Sequence, residues 1–285
     1  MLPLLRSPVP TPGAVARCAA VAATPSRADD LALALRLADT ADPITFGRFR
    51  ATDLHVERKP DRTPVTDADL ATEDAVRAVL AAERPDDAIL GEERGGELGA
   101  GRTWVLDPID GTKNFSRGVP VWASLIALVD GGHPVVGVVT APAMGRRWWA
   151  AQGQGAYTRD PTRDAGQTRL AVSGVTDLAD AYASTTDLGY WHQEGRRDQW
   201  LALTEACWET RAFGDFWHHV LVAEGLLDLA VEPGAGTWDL AAPQVVVEEA
   251  GGRLTDLTGN PRPDGGNALT SNGLLHDAAR AVVGR

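Results

Sequence analysis

Cysteine is nearly absent from this chain, with two residues among 285, Cys18 and Cys207. Two thiols, one of them in a proline-rich stretch at the start, build neither a disulfide framework nor a zinc cluster, and a reducing cytoplasmic setting fits. Long apolar runs are missing as well, and none approaches the roughly 18 residues that a membrane span requires. Positive charge is short, because 27 Lys and Arg against 39 Asp and Glu leave a formal net charge of -12. That balance argues against nonspecific binding to nucleic acid or to an anionic membrane surface, since both need a basic footprint. Internal repeats are absent. What remains, 44% hydrophobic and 23% charged, is ordinary globular material, enough for one large domain or two intimate halves.

Against that background one stretch stands out. Trp104 to Asn114, WVLDPIDGTKN, is an apolar run that stops abruptly in two carboxylates, then a glycine and a hydroxyl at the mouth of a short helix. Pro108 donates no ladder hydrogen bond and biases Asp107 toward extended backbone, so a strand should end here and turn both carboxylates the same way. Gly111 lets the backbone approach a ligand closely, and the N–H groups opening the next helix would face an anion such as phosphate. Carboxylates alone would repel phosphate, so cations must intervene. Hard oxygen ligands suit magnesium better than zinc, which prefers nitrogen and sulfur. Taken alone, the same residues also read as an ordinary acidic turn.

The rest of the chain arranges itself around this segment. Residues 1–27, with Pro3, Pro8, Pro10, Pro12 and Pro25 among small residues, read as a disordered tail, a secretory signal over Ala14 to Ala23 being the competing idea that Arg17 interrupts. Ser26 is a candidate cap for a helix over 28–40, followed by a short strand at 54–57. The polar loop from Lys59 to Asp69 leads into an amphipathic helix over 70–84 that Asp67 or Asp69 would cap. Ile89 to Glu93 is a second strand ending in acids. Ala123 to Val129 and Val135 to Ala141 flank Asp130-Gly131-Gly132, a hairpin signal, and Arg146 to Ala151 continues the meander. Trp148 and Trp149 should pack on opposite faces of that strand. The polar stretch from Thr158 to Thr168 separates a half at 28–160 from a half at 161–285. In the second half strands near 182–184, 210–213 and 227–231 alternate with helices near 198–207 and 215–224. A helix from Asp239 ends at Gly251, a left-handed cap, before strands near 253–255 and 268–270 and a last helix from about Leu274. His218 and His219 read as structural or peripheral.

Three acidic segments, Gly91-Glu92-Glu93, Asp107 to Thr112 and Trp238 to Gly252, occur in that order in one family. From about Ala28 to the C-terminus the chain resembles the inositol monophosphatase superfamily of magnesium-dependent, lithium-sensitive phosphatases. The resemblance implies an α+β fold, a layered α-β-α-β-α sandwich of the inositol monophosphatase and fructose bisphosphatase type, commonly a homodimer, with two to three Mg2+ per active site. It implies that Glu92, Asp107 and the Ile109 carbonyl hold one magnesium and Asp107, Asp110 and Asp239 a second, with a weaker third near Glu92. Asp69 matches an acid of the loop that closes over the metals, although Ala68 stands where the family often has threonine. Thr112, in a network with Glu92 and Asp69, would orient a metal-activated water for direct in-line attack, and the N–H groups of Gly111 and Thr112 would hold phosphate oxygens. Glu93 would stand beside the site rather than ligate. Lys59 and Lys113 are either surface cations or neutralise charge near the cleft.

The substrate is a small phosphorylated molecule. Gly214 to Trp217 and Val231 to Pro233 lie where the family places leaving-group contacts, so Asp215 and Glu232, with Asp110, would meet a cationic alcohol. Together with Thr112 to Trp122 this is similar to the branch of the family that hydrolyses histidinol phosphate. Asp215 also reads as the cap of its helix, since it follows Gly214. Hydrolysis of inositol 1-phosphate or of sugar phosphates is the alternative, because a Glu at position 232 also suits inositol hydroxyls, and a noncatalytic regulator binding phosphorylated ligands is a further one.

Overall fold

Ser26 opens the first helix with a reciprocal capping box, its hydroxyl accepting from the Asp29 N–H while the Asp29 carboxylate accepts from the Ser26 N–H. The computed structural model describes residues 25–60, 63–162 and 166–284. Most of the stretch expected to form a tail, and Asp61 and Arg62 of the polar loop, therefore lie outside the described residues. The first half consists of α1 (Arg27–Arg48), β1 (Val56–Arg58), β2 (Pro64–Thr66), α2 (Asp67–Glu83), β3 (Ala88–Gly91), β4 (Thr103–Asp110), α3 (Thr112–Ser116), β5 (Ala123–Asp130), β6 (His133–Ala141), β7 (Arg146–Ala151), β8 (Ala156–Arg159) and β9 (Gln167–Arg169). The second half adds β10 (Tyr182–Thr185), α4 (Leu188–Gln193), α5 (Arg197–Ala206), β11 (Glu209–Arg211), α6 (Asp215–Ala223), β12 (Leu229–Glu232), α7 (Thr237–Glu249), β13 (Arg253–Thr255), β14 (Ala268–Ser271) and α8 (His276–Val283).

Strands β3 to β9 form a seven-stranded sheet in chain order, in which only β3 and β4 run parallel. Its central strands are buried on both faces, and period-two alternation divides their side chains. Leu125, Ala127 and Val129 of β5 join a core with Val220 of α6 and Val245 and Val246 of α7. Ile126 and Leu128 face the other way, into a core with Leu33 and Leu37 of α1 and Val76 and Leu80 of α2. Trp148 and Trp149 divide in the same manner, one into each core. A five-stranded sheet, ordered β11-β10-β12-β14-β13, covers the far side of α6 and α7. Beneath it, Trp191, Trp200, Leu203 and Ala279 bring α4, α5 and α8 against Ala183, Leu229 and Leu269. The layers thus run α-β-α-β-α, as expected.

Several boundaries differ from the sequence expectation. Helix α1 continues through Pro43 to Arg48 because Ala41 and Thr45 are buried there, so tertiary packing outweighs the proline. Helix α2 begins at Asp67 with Thr66 as its cap, and α4 was not anticipated. The loop expected from Thr158 to Thr168 contains 163–165, outside the described residues, but its two ends are register partners across β8 and β9. The first sheet therefore runs to Arg169, and a break at 160/161 would divide it.

The two halves meet where β6 passes under α7. A Cβ added to Gly137 would lie 2.4 Å from the Ala242 carbonyl oxygen, so only a residue without a side chain allows this approach. We expect Gly137→Ala to lower unfolding free energy by about 1 to 3 kcal/mol, the usual cost of overpacking, seen as a lower denaturant midpoint at unchanged m-value. An unchanged midpoint would show that the sheet and α7 slide apart freely.

Candidate active site

The strand that delivers two carboxylates to one side does so by a break in register. Residues 107 and 110, an odd number apart, would face opposite sides of a regular strand. Pairing of β4 with β5 shifts between Asp107 and Asp110, and the Ser124 hydroxyl donates to the Pro108 carbonyl at 2.6 Å in the irregularity. Asp107 accepts from the Ile109 N–H at 3.0 Å, while the Ile109 side chain anchors the turn among Ala68, Phe115 and Trp122. Gly111 follows with φ 83, and a Cβ there would approach the Val121 carbonyl to 3.1 Å.

Two helices contribute acids by the same local device. Asp69 is the third residue of α2, and its Oδ2 accepts from the Thr66 N–H and hydroxyl at 2.8 and 2.6 Å. Asp239 is the third residue of α7, and its Oδ2 accepts from the Gly236 N–H at 2.6 Å. In each case one oxygen closes a helix N-terminus and the other is left for the cleft. Asp69 Oδ1 is buried and has no hydrogen-bond partner among the described residues.

Glu92 leaves β3 where a second buried acid shapes the chain. The Glu73 carboxylate accepts from the Glu93 and Arg94 N–H groups at 2.8 and 3.1 Å and pairs with Arg77 at 2.7 Å. Gly91 makes room for this carboxylate: a Cβ there would fall 2.0 Å from Glu73 Oε1 and push it off the N–H groups that it holds. Lys59, reaching over from beyond β1, donates to Glu92 and Glu93 at 2.7 Å each. Burial disfavours its charge, but those two hydrogen bonds outweigh burial and hold its pKa up. Lys59 is therefore a cation of the site, and Glu93 is its partner.

Ligand atoms of Asp107, Asp110 and Asp239 all lie within 4.8 Å of one another. Burial pushes the pKa of Asp107 well up, reinforced by Glu92 and Asp110, and that of Asp110 well up, reinforced by Asp215 and Asp239. Asp239 is pushed up to about 8 by burial and Glu232, and Asp69 to about 7 by burial, which exceeds the opposing effect of Thr66. Such a set is unstable as bare anions. Its donors are all oxygen, one is orphaned, and the arrangement fits hard divalent cations.

Beside the carboxylates lie a cavity of ≈ 130 Å³ and another of ≈ 330 Å³, which share Asp110, Thr186, Tyr190, Asp215 and Asp239 as lining. Asp215 and Glu232 both line the larger one. Asp215 has φ 49 and is not the helix cap, which is Gly214; its carboxylate lies 3.4 Å from the Asn114 amide. Burial and Glu232 raise its pKa to about 6 against the pull of Lys113. Glu232 accepts from the Thr186 hydroxyl and from His218 Nε2, 3.1 Å away; although burial opposes its charge, these imidazole contacts keep it ionised.

Two sequence expectations need correction. The Thr112 hydroxyl donates to the Ile109 carbonyl at 2.9 Å rather than into Glu92 or Asp69, because α3 turns it back over the end of its own strand. Of the two readings of His218 and His219, structural or peripheral, the second is excluded, since both are buried and α6 and β12 bring them against Glu232, with His219 lining the cavity. Sequence reading also missed Glu73, Thr186 and Tyr190. Glu73 looks like any helix acid, and Thr186 and Tyr190 reach the site only through the β10–α4 crossover; Tyr190 accepts from Lys113 at 2.9 Å.

A model of the inositol monophosphatase family matches residues 27–283. The chain is 56% identical over 250 residues to a histidinol-phosphatase of Mycobacterium tuberculosis, covering 87% of this chain and 95% of that protein. It is 52% identical to a histidinol-phosphatase of Streptomyces coelicolor over 89% of this chain and 96% of the relative. Among solved structures, an inositol monophosphatase from Zymomonas mobilis superposes with a TM-score of 0.79 at 33% identity, covering 91% of this chain and 99% of that one.

The raised carboxylate pKa values have a consequence for stability. A carboxyl whose folded pKa exceeds its unfolded value stabilises the fold while protonated, and that contribution is lost as pH rises through the folded pKa. We therefore expect metal-free protein to lose thermal stability from these groups between pH about 5 and about 8, with added magnesium restoring more at the upper end. Equal magnesium effects on Tm at both ends would contradict the assignment.

Proposed function

The chain belongs to the inositol monophosphatase family, and we propose that within it the protein is a magnesium-dependent phosphomonoester hydrolase acting on histidinol phosphate. The observation that carries the substrate is the pair Asp215 and Glu232 on the leaving-group side of the carboxylate centre. Glu232 is ionised, and Asp215 titrates near the physiological range, so the cavity suits an alcohol bearing an ammonium and an imidazole. The names of the two bacterial relatives support the same substrate.

Glu92, Asp107, the Ile109 carbonyl, Asp110 and Asp239 would hold the magnesium ions. Bound there, the cations supply positive charge against the phosphate oxygens and an acidified water. The chain's own groups supply position. The Thr112 hydroxyl spends its proton on the Ile109 carbonyl, which leaves its lone pairs to accept from the attacking water and fix its direction. The N–H groups of Gly111 and Thr112 receive phosphate oxygens, made approachable by the bare Cα of Gly111. Asp69, tied to Thr66 through one oxygen, presents the other to the water network. This arrangement calls for in-line displacement stabilised by charge and orientation, without a phosphoenzyme.

Replacing Thr112 by Ala removes orientation without removing charge, so the turnover number should fall about a hundredfold or more while the magnesium requirement stays close to wild type, as read from initial rates across magnesium concentration. An unchanged turnover number would take Thr112 out of the mechanism. A hydrogen bond to a charged group contributes about 1.5 to 3 kcal/mol, so Asp215→Asn should cost roughly ten- to a hundredfold in kcat/KM for histidinol phosphate. An uncharged aryl phosphate should be nearly unaffected. Stability should hold, because Asn tolerates the left-handed backbone found at this position. Equal losses on both substrates would make Asp215 structural and remove the main support for a cationic leaving group.

A further inference from the structure

His218 and His219 are consecutive on α6, yet their rings meet, with centroids 4.2 Å apart and planes at 72°. The two Nε2 atoms are 3.2 Å apart; His218 Nε2 lies 3.1 Å from Glu232 Oε1 and His219 Nε2 lies 3.8 Å from Glu232 Oε2. Behind the rings, hydroxyls set the orientation: His218 Nδ1 faces Ser184 Oγ at 3.4 Å and His219 Nδ1 faces Thr270 Oγ1 at 2.8 Å. Imidazoles that ligate metals are held from the rear in this way. All three side chains are buried, and His219 and Glu232 border the larger cavity.

Hydrogen bonding accounts for this cluster only in part. A proton on His218 Nε2 can serve both Glu232 and His219, but the His219 lone pair then faces the carboxylate across 3.8 Å. Zinc bonds of about 2.0 to 2.1 Å at tetrahedral angles set ligand atoms roughly 3.4 Å apart. His218 Nε2 lies 3.2 Å from His219 Nε2 and 3.1 Å from Glu232 Oε1, both close to that value, and one ligand atom from each of the three residues lies within 4.8 Å of the other two. Burial keeps the His218 pKa down at about 4, so the ring is uncharged near neutrality and offers its Nε2 lone pair when the proton sits on Nδ1, toward Ser184 Oγ.

We propose that His218, His219 and Glu232 form a binding site for an imidazole-preferring divalent cation of the zinc class, separate from the all-oxygen centre, with its fourth position opening on the leaving-group cavity. Magnesium, which prefers six oxygen ligands, does not compete for it. A cation held there engages Glu232 and places positive charge where the leaving group is received, so zinc opposes a cationic substrate. That consequence rests on the proposed function, whereas the site itself does not.

The test uses the full chain, equilibrated with zinc in excess magnesium and dialysed, with metal content measured for wild type, Asp107→Asn, His218→Ala and His219→Ala. One zinc per chain should remain in wild type and in Asp107→Asn, while either histidine variant weakens zinc binding more than about a hundredfold, beyond what loss of an outer-shell partner costs. Zinc kept by the histidine variants and lost from Asp107→Asn would put the ion in the carboxylate centre and overturn the proposal. Should the histidine variants fail to fold, cobalt(II) titration of wild type decides: intense visible bands signify tetrahedral coordination with nitrogen ligands, and weak octahedral bands or no binding overturn the site. Zinc binding by a protein that fails to hydrolyse histidinol phosphate when zinc-free would remove the functional reading and leave the site standing.

Discussion

Mutual repulsion among carboxylates in a cleft too dry to solvate them is the constraint on which this structure turns. Asp107 and Asp110 are buried, Asp239 lies within 4.8 Å of both, and Asp69, Glu92, Asp215 and Glu232 crowd the same electrostatic neighbourhood. Burial and mutual repulsion disfavour the charged forms of Asp107, Asp110, Asp239 and Asp69 in particular, so protons or cations must hold these four together. A chain of net charge -12 that handles a phosphate ester needs the second solution. The metal dependence expected of the family is, in this sense, a condition for the charged form of the cleft as much as a catalytic device.

The fold meets this constraint with inexpensive local parts placed by a stiff scaffold. Two of the acids double as N-terminal helix locks, giving one oxygen to backbone N–H groups and reserving the other. A further pair, Asp107 and Asp110, owes its common direction to one irregularity in β4. None of these devices would hold alone, since each sits at the end of an element whose far side is locked in a core. The contact between Gly137 and Ala242 shows how tightly: α7, which carries Asp239, rests directly on the sheet that carries Asp107. The carboxylate centre and the fold are therefore coupled, and displacement of one layer is felt at the centre.

Much of this was legible in the sequence because its signals are local. The DPIDG segment announces a strand end, a reversal and a close approach within five residues, and the apolar runs of β5 and β6 around Asp130-Gly131-Gly132 predict their pairing. Residue-level reading weakened wherever a role depends on what another element brings. Thr66, not Asp69, caps α2, because threonine supplies the hydroxyl while Asp69 reciprocates. Adjacent histidines on a helix should diverge by about 100°, and only β12 and the hydroxyls of Ser184 and Thr270 turn them together on Glu232. Glu73 carries no local mark that separates it from a solvated helix acid; its function as the anchor of Glu92's turn is wholly tertiary.

The central claim is that cations replace protons in the cleft. Its most direct test is the count of protons released when magnesium binds the metal-free protein, measured by calorimetry in buffers of different ionisation enthalpy. The account predicts net proton release that grows as pH falls from about 8 to about 6, because more of the carboxyls then start protonated. Magnesium binding with no proton release across that range would mean the carboxylates were already ionised without metal, and would contradict the account.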